Sequence, residues 1–312
     1  MILCIVVVGG ATRLTGSGLS ITEWQPILGA MPPLNDTDWQ AAFVKYQESS
    51  QFKLQNSAMT MGEFHFIYWW EWSHRILARS IGVVALLPFL FFAVRRVLPQ
   101  GQWQRYVLLI LLGGLQGLLG WYMVKSGLDQ RVAVSQYWLA AHLISASIIF
   151  AFACWLRFSV SSRHQWFGSV PELLAVLLLL LVFSQLTAGA FVAGLNAGQG
   201  YSTWPLINGS IVPQGLDVMQ PLWKNLFENA LTVQFDHRML AYLILVLAML
   251  NMLMVFGISS FMLFYAVLVQ AGLGVATLLL HVPLYVALVH QAGAMIVLLA
   301  AVWNLHRRTV IE

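Results

Sequence analysis

The sequence predicts an all-α polytopic membrane protein. Eight transmembrane helices form two duplicated four-helix bundles, the first helix being truncated in this sequence. Three observations carry that prediction. Only 9% of the 312 residues are charged and 59% are hydrophobic, whereas a soluble domain carries about 25% charged residues. Seven runs are apolar over the length that crosses a bilayer, for which about 20 residues suffice. Short motifs also recur in the same order in both parts of the chain. The composition excludes a soluble enzyme, a disordered chain and a nucleic-acid binder. Cys4 and Cys154 both sit in apolar runs and supply neither a disulfide framework nor a C-x-x-C motif.

The predicted spans are 66–94, 105–124, 132–157, 172–193, 226–250, 258–280 and 283–305. The run 1–12 has about half the needed length. It lacks a basic n-region and an A-x-A cleavage pattern, which sets aside a signal peptide. A truncated first helix is favoured over a re-entrant segment. Between 13 and 65 runs a long loop, in which Asp38 to Tyr46 space their apolar residues as a short amphipathic helix at the membrane interface.

Lys and Arg in the short loops set the orientation. Arg95, Arg96, Arg105, Arg157, Arg163, Arg307 and Arg308 gather on one side with only Glu172 and Glu312 against them. Glu23, Asp36, Asp38, Glu48, Glu63 and Asp129 mix with Lys45, Lys53, Lys125 and Arg131 on the other. The basic side is inner, and the 13–65 loop is outer.

The repeat has four parts. Trp24-Gln25-Pro26-Ile27-Leu28-Gly29 with Pro32 resembles Trp204-Pro205-Leu206-Ile207-Asn208-Gly209 with Pro213. Ser73-His74-Arg75-Ile76-Leu77-Ala78 resembles Asp236-His237-Arg238-Met239-Leu240-Ala241. Gln116-Gly117-Leu118-Leu119-Gly120 resembles Gln270-Ala271-Gly272-Leu273-Gly274, and Leu139-Ala140-Ala141-His142 resembles Ala287-Leu288-Val289-His290. Four helices per half make this a parallel duplication, with halves 1–160 and 161–312.

Ionisable side chains inside a membrane are costly and mark function by default. His74, His142, His237 and His290 fall in the second and fourth helix of each half, at similar depth. A single such histidine is more often a satisfied interhelical hydrogen bond; four at repeated positions favour function. Two imidazoles facing across a bundle suit bis-histidine haem ligation. Zinc needs three or four ligands per site, and no H-E-x-x-H motif is present. Arg75 and Arg238 follow the first histidine of each pair, and Arg79 lies one turn beyond Arg75. They suit propionate recognition, since Arg binds carboxylates bidentately, against the plainer reading of interfacial snorkelling. Gly113, Gly114, Gly117, Gly120, Gly272 and Gly274 thin their helix faces; a flat cofactor and ordinary small-residue packing explain them equally well.

The halves differ one turn before the first histidine. Glu71 stands there in the first half and Gln234 in the second. A carboxylate beside a metal ligand can orient a substrate, relay protons or stabilise a developing cation. The plainer alternative is an ion pair with Arg75 at i+4. If both halves bind haem, the half with Glu71 is the reaction site and the other a permanent electron carrier.

The run from Gly9 to Ser20, Glu23-Trp24, Glu63-Phe64-His65-Phe66-Ile67 and Glu71-Trp72-Ser73-His74-Arg75 together resemble the haem A synthase family, in its bacterial and mitochondrial branch. The resemblance covers essentially the whole chain. Two departures stand out: a shorter start, and no cysteine pair in the outer loops. It implies an oxidoreductase that converts the C8 methyl of haem O to a formyl by two successive hydroxylations, giving haem A for terminal oxidases. It implies His237 and His290 as ligands of a resident haem b, and His74 and His142 as axial ligands of substrate haem O. Glu71 would be the catalytic group, and Arg75, Arg79 and Arg238 would orient the haems. Thr12, Arg13 and Thr15 would help shape the first pocket. Implied partners are haem O and its synthase, an electron donor, the terminal oxidase under assembly and membrane lipid. Nucleic acid is excluded, and self-association is left open. The setting implied is a bacterial inner membrane with the haem sites toward the periplasmic side.

Two alternatives use the same features. A di-haem b-type quinol-oxidising subunit would use both histidine pairs without needing the Glu71/Gln234 difference. A transporter would explain the duplication and predicts no chromophore. His164 and His306 lie in inner basic clusters, and His65 and His281 near outer helix ends, each with a weaker claim to function.

Overall fold

The computed structural model describes residues 1–25, 28–97, 103–128, 132–161, 163–165 and 168–311. Pro26 and Ile27 of the repeat, Asp129, Arg131 and Glu312 of the charge pattern, and the side chains of Arg163 and His164 lie outside that description. Among the described residues, seven helices are long and apolar enough to cross a membrane: α4 (Met61–Val94), α5 (Trp103–Leu128), α6 (Gln136–Phe158), α7 (Val170–Gly194), α10 (Ala230–Met254), α11 (Ile258–Leu279) and α12 (Leu284–Thr309). A shorter apolar helix, α1 (Ile2–Leu14), precedes them. The remaining helices are short and lie in the predicted outer segments: α2 (Asp36–Gln47), α3 (Ser50–Gln55), α8 (Ala197–Gly200) and α9 (Asn225–Glu228). The chain is an all-α polytopic membrane protein.

The ends of these helices follow from local chemistry. Thr60 and Glu63 form a reciprocal capping box that starts α4, satisfying two of the backbone N–H groups that a helix start leaves open. At 34 residues, α4 is about 50 Å long at 1.5 Å per residue, well beyond the ~30 Å hydrocarbon core. Its first turns therefore stand outside the bilayer. Ser169 and Glu172 form the matching box at α7, and the Asn229 side chain accepts from Leu231 N at the start of α10.

The chain divides into two compact units, Met1–Trp138 and Leu139–Glu312. In the first, α1 packs on α4, and α4 on α5. The outer helices α2 and α3 pack part of their apolar surface on α4. Phe43 and Tyr46 pack with Phe64, Ile67 and Tyr68 of α4, and Trp39 and Phe52 flank them. The start of α4 offers this surface a wall of Phe64, Ile67 and Tyr68. Within that cluster the Tyr46 hydroxyl donates to Gln51 Oε1 at 3.0 Å and accepts from Asn56 Nδ2 at 2.7 Å. Burial pushes the Tyr46 phenol above its ordinary pKa.

In the second unit α10 packs on α7 and α11, and α12 packs on α11 and α7. The four helices close a ring in which α10 and α12 stand diagonally. The part of α6 in this unit joins it through Ala140, which clusters with Ala190, Phe191 and Val233. It also places Trp155 and Phe158 against the His306 ring.

Candidate functional site

The first unit holds Glu71, His74, Arg75 and Arg79 on one face of α4. Glu71 is 3% exposed. Its Oε2 accepts from Ser20 Oγ at 2.8 Å and Ile21 N at 2.7 Å. Its Oε1 accepts from Arg75 Nε at 3.0 Å and Nη2 at 2.5 Å. The i+4 ion pair anticipated from the spacing is present, and two donors from the loop after α1 join it. Arg75 spends its other contacts on the same loop, donating to Ile21 O at 2.7 Å and Glu23 O at 2.9 Å. Arg79 donates to Gln25 O at 2.9 Å. Glu71, Arg75 and Arg79 thus staple the segment 20–25 along α4.

Gly9 of α1 meets His74. A Cβ at Gly9 would come 3.1 Å from His74 Nε2, so any larger residue would make the ring give way by a few tenths of an ångström. Thr12, one turn on, donates to Trp70 O at 3.3 Å. An open groove of about 540 Å³ beside the start of α4 is lined by Gln55, Met59, Glu63 and Phe66, among others, and by none of these site residues.

The second unit repeats the staple with a different residue in the central place. Gln234 Nε2 donates to Ala197 O at 3.0 Å and Tyr201 O at 2.7 Å. Its Oε1 accepts from Arg238 Nη2 at 2.9 Å, and Arg238 Nη2 also reaches Tyr201 O at 3.2 Å. Ile21 and Tyr201 occupy the same place in the repeat. Glu71 holds its loop by accepting and Gln234 by donating, so the substitution changes the polarity of the staple while keeping its architecture. The two arginines differ in what remains. Arg238 is 8% exposed, and its Nε and Nη1 are buried with no hydrogen-bond partner.

His237 on α10 and His290 on α12 belong to the diagonal helices of the ring. Each ring rests on a glycine of a neighbouring helix. A Cβ at Gly189 would lie 3.2 Å from His237 Cε1, and one at Gly274 would lie 3.0 Å from His290 Cε1. Gln185 Nε2 lies 3.1 Å from His237 Nδ1, 3.3 Å from its Nε2, and donates to His237 O at 3.0 Å. Gln270 Nε2 lies 3.1 Å from His290 Nδ1 and donates to His290 O at 2.8 Å. Among the described residues, no three His, Cys, Asp or Glu side chains converge as a bare metal ion would require. A haem fits this donor set: two diagonal imidazoles, glycine seats that a Cβ would fill, and an arginine with unused buried donors.

Residues 1–302 match the COX15-CtaA family, described as cytochrome oxidase assembly protein. The chain belongs to that family. It is 49% identical over 310 aligned positions to the "Heme A synthase" of Azorhizobium caulinodans, covering 96% of this chain and 89% of that protein. The "Heme A synthase" of Parvibaculum lavamentivorans is 46% identical over 317 positions, covering 98% and 91%. That of Rhodopseudomonas palustris is 47% identical over 312 positions, covering 96% and 84%.

Within this COX15-CtaA chain the structure brings together Glu71, Arg75 and the loop after α1, and it carries His237 and His290 on the diagonal helices of one ring. Arg238 lies one residue beyond His237 on α10. His142 lies on α6 in the second unit and His74 in the first, so their pairing rests on the repeat. His65 packs its ring on Trp39, with centroids 4.1 Å apart. His281 and Val282 form a left-handed turn before α12. Sequence reasoning missed Ser20, Ile21, Gln185 and Tyr201 as site-shaping residues, and saw Gln270 only as part of a motif. The available signal was Gln-x-x-x-Gly, which occurs at Gln185 and Gly189 and again at Gln270 and Gly274.

Proposed function

We propose that this protein is a haem A synthase, an oxidoreductase that takes haem O as substrate and yields haem A for cytochrome oxidase assembly. The reaction oxidises the C8 methyl of haem O to a formyl by two successive hydroxylations. Kinship to the COX15-CtaA family over residues 1–302 supports the reaction. The observation that carries the division of labour is the second-unit arrangement: diagonal, glycine-seated His237 and His290 with the unpartnered donors of Arg238.

In this reading His237 and His290 would hold a resident haem b, whose chemistry is one-electron transfer. Arg238 would donate Nε and Nη1 to a propionate. His74 and His142 would receive haem O in the first half. There Glu71, Arg75 and Arg79 hold the segment 20–25 against α4, and Glu71 sets a carboxylate one turn from His74. With both oxygens already accepting, Glu71 contributes to the reaction through its charge and through the wall it holds in place. Substrate haem O carries a farnesyl chain, so its entry from lipid suits a membrane enzyme. The basic inner loops support a reading in which the haem sites face the outer side of a bacterial inner membrane.

Purified protein should show a low-spin Soret band from a bis-histidine haem. His237→Ala or His290→Ala should deplete that haem. Unchanged haem content in either variant would refute the resident-site assignment.

A further inference from the structure

We propose that Gln185 and Gln270 are positioning residues that fix the ring orientation of His237 and His290 for a permanently bound haem, and that the first helix lacks this device because Ile5 stands where Gln185 does. This rests on the haem reading above and adds to it a reason why one haem stays while the other is turned over.

The two glutamines share a pair of contacts, to which Gln185 adds an approach of 3.3 Å to His237 Nε2. Each amide nitrogen reaches both a ring nitrogen and the backbone carbonyl of its histidine, from a neighbouring helix. Each glutamine precedes by one helical turn the glycine on which the same ring rests. The ring is therefore gripped at its edge and seated on its side by one helix face. For Gln270 a further glycine clears the way: any Cβ at Gly293 would collide with Gln270 Oε1.

Plain interhelical glue is the competing account, since polar side chains commonly bond across membrane helices. It does not explain the oxygens. Gln185 Oε1 and Gln270 Oε1 are both buried without a hydrogen-bond partner, where buried polar atoms are ordinarily satisfied. An imidazole that ligates a metal through one nitrogen donates its other N–H to an acceptor. An amide offers both groups side by side. A small turn of either glutamine lets Oε1 accept from Nδ1–H while Nε2 keeps the backbone carbonyl. The unused oxygens are thus the acceptors that ligated histidines need.

The repeat supplies the contrast. Gln116 and Gly120 occupy the matching places on α5, but α1 reads Ile5-x-x-x-Gly9. Gly9 keeps the seat for His74. Whatever else holds His74, an isoleucine at position 5 offers no amide. A ligand spared this grip suits a site whose haem must arrive as substrate and leave as product.

The test uses the full-length protein purified in lipid nanodiscs. Gln185→Leu and Gln270→Leu keep the volume and remove the acceptor. Gln185→Glu and Gln270→Glu keep an acceptor. Haem transfer to apomyoglobin and the reduction potential of the low-spin haem are measured. Losing an outer hydrogen bond to a metal ligand typically costs about 10–100-fold in affinity. The Leu variants should lose haem faster by that order and shift the potential upward. The Glu variants should retain haem and shift it downward, because a stronger acceptor makes the ligand more basic. Ser184→Ala, on the same helix, should change neither. Wild type without low-spin haem would overturn the haem reading and this proposal together. Wild type with that haem, and Leu variants with its exchange rate and potential, would overturn the positioning role alone.

Discussion

Replacing Glu71 by Gln should loosen the segment 20–23 before it does anything else. Four donors converge on the carboxylate: Ser20 Oγ, Ile21 N, Arg75 Nε and Arg75 Nη2. A glutamine offers one oxygen and one NH2 group. If the oxygen stays with Arg75, the Ile21 N–H loses its acceptor. If it turns to Ile21, the NH2 faces a guanidinium, and Arg75, which also holds Ile21 O and Glu23 O, is pushed from its place. Either way the loop loses an anchor. A buried donor left unpaired costs about 1–3 kcal/mol. At about 1.4 kcal/mol per factor of ten, local opening rises roughly 5- to 150-fold. Hydrogen–deuterium exchange over residues 20–23 reads this directly, with the α10–α12 peptides as internal reference. Haem O conversion should fall with it. Wild-type protection over 20–23, or full conversion by the variant, would refute the stapling role of Glu71.

Other substitutions probe the remaining parts of the account. Arg238→Gln removes the two unpartnered buried donors and should weaken retention of the resident haem about 10- to 150-fold, from about 1.5–3 kcal/mol for charge-assisted hydrogen bonds; pyridine haemochrome after gel filtration measures it. Gly274→Ala would bring a methyl 3.0 Å from His290 Cε1, displacing the ring and converting part of the low-spin signal to high-spin by electron paramagnetic resonance. Tyr46→Phe removes a hydroxyl bonded to Gln51 and Asn56, costing about 1–3 kcal/mol; because Gln51 Nε2 also donates to Gly16 O at 2.9 Å, limited proteolysis should accelerate at the 13–60 loop.

Much of this architecture is legible in the sequence because a span needs about 20 predominantly apolar residues. The seven long apolar runs follow from that requirement, and the four repeated histidines stand out against it. Helix starts were harder to place. Helix α4 begins at Met61, ahead of the apolar run, because Thr60 and Glu63 cap it in polar sequence. The docking of α2 on α4 was hidden, since an aromatic stripe of Trp39, Phe43 and Tyr46 suits a lipid interface and a protein wall alike. The saturation of Glu71 was hidden for another reason. Ile21 contributes a backbone N–H, which no side-chain pattern announces. Gln185 and Gln270 were inconspicuous as neutral residues within apolar runs, and only the packing of histidine rings on Gly189 and Gly274 gives the repeated Gln-x-x-x-Gly its meaning. The grouping of α6 with the second unit rests on contacts such as Ala140 with Phe191, and alanine carries little directional information.

The central claim is a chemical conversion, and it is tested by co-expressing the protein with an enzyme that makes haem O in a host without haem A. Haems extracted from the membranes are then separated by chromatography. The account predicts hydroxylated haem O and haem A in cells carrying the intact protein, and haem O alone with His74→Ala. Haem O left unconverted by the intact, haem-loaded protein would contradict it.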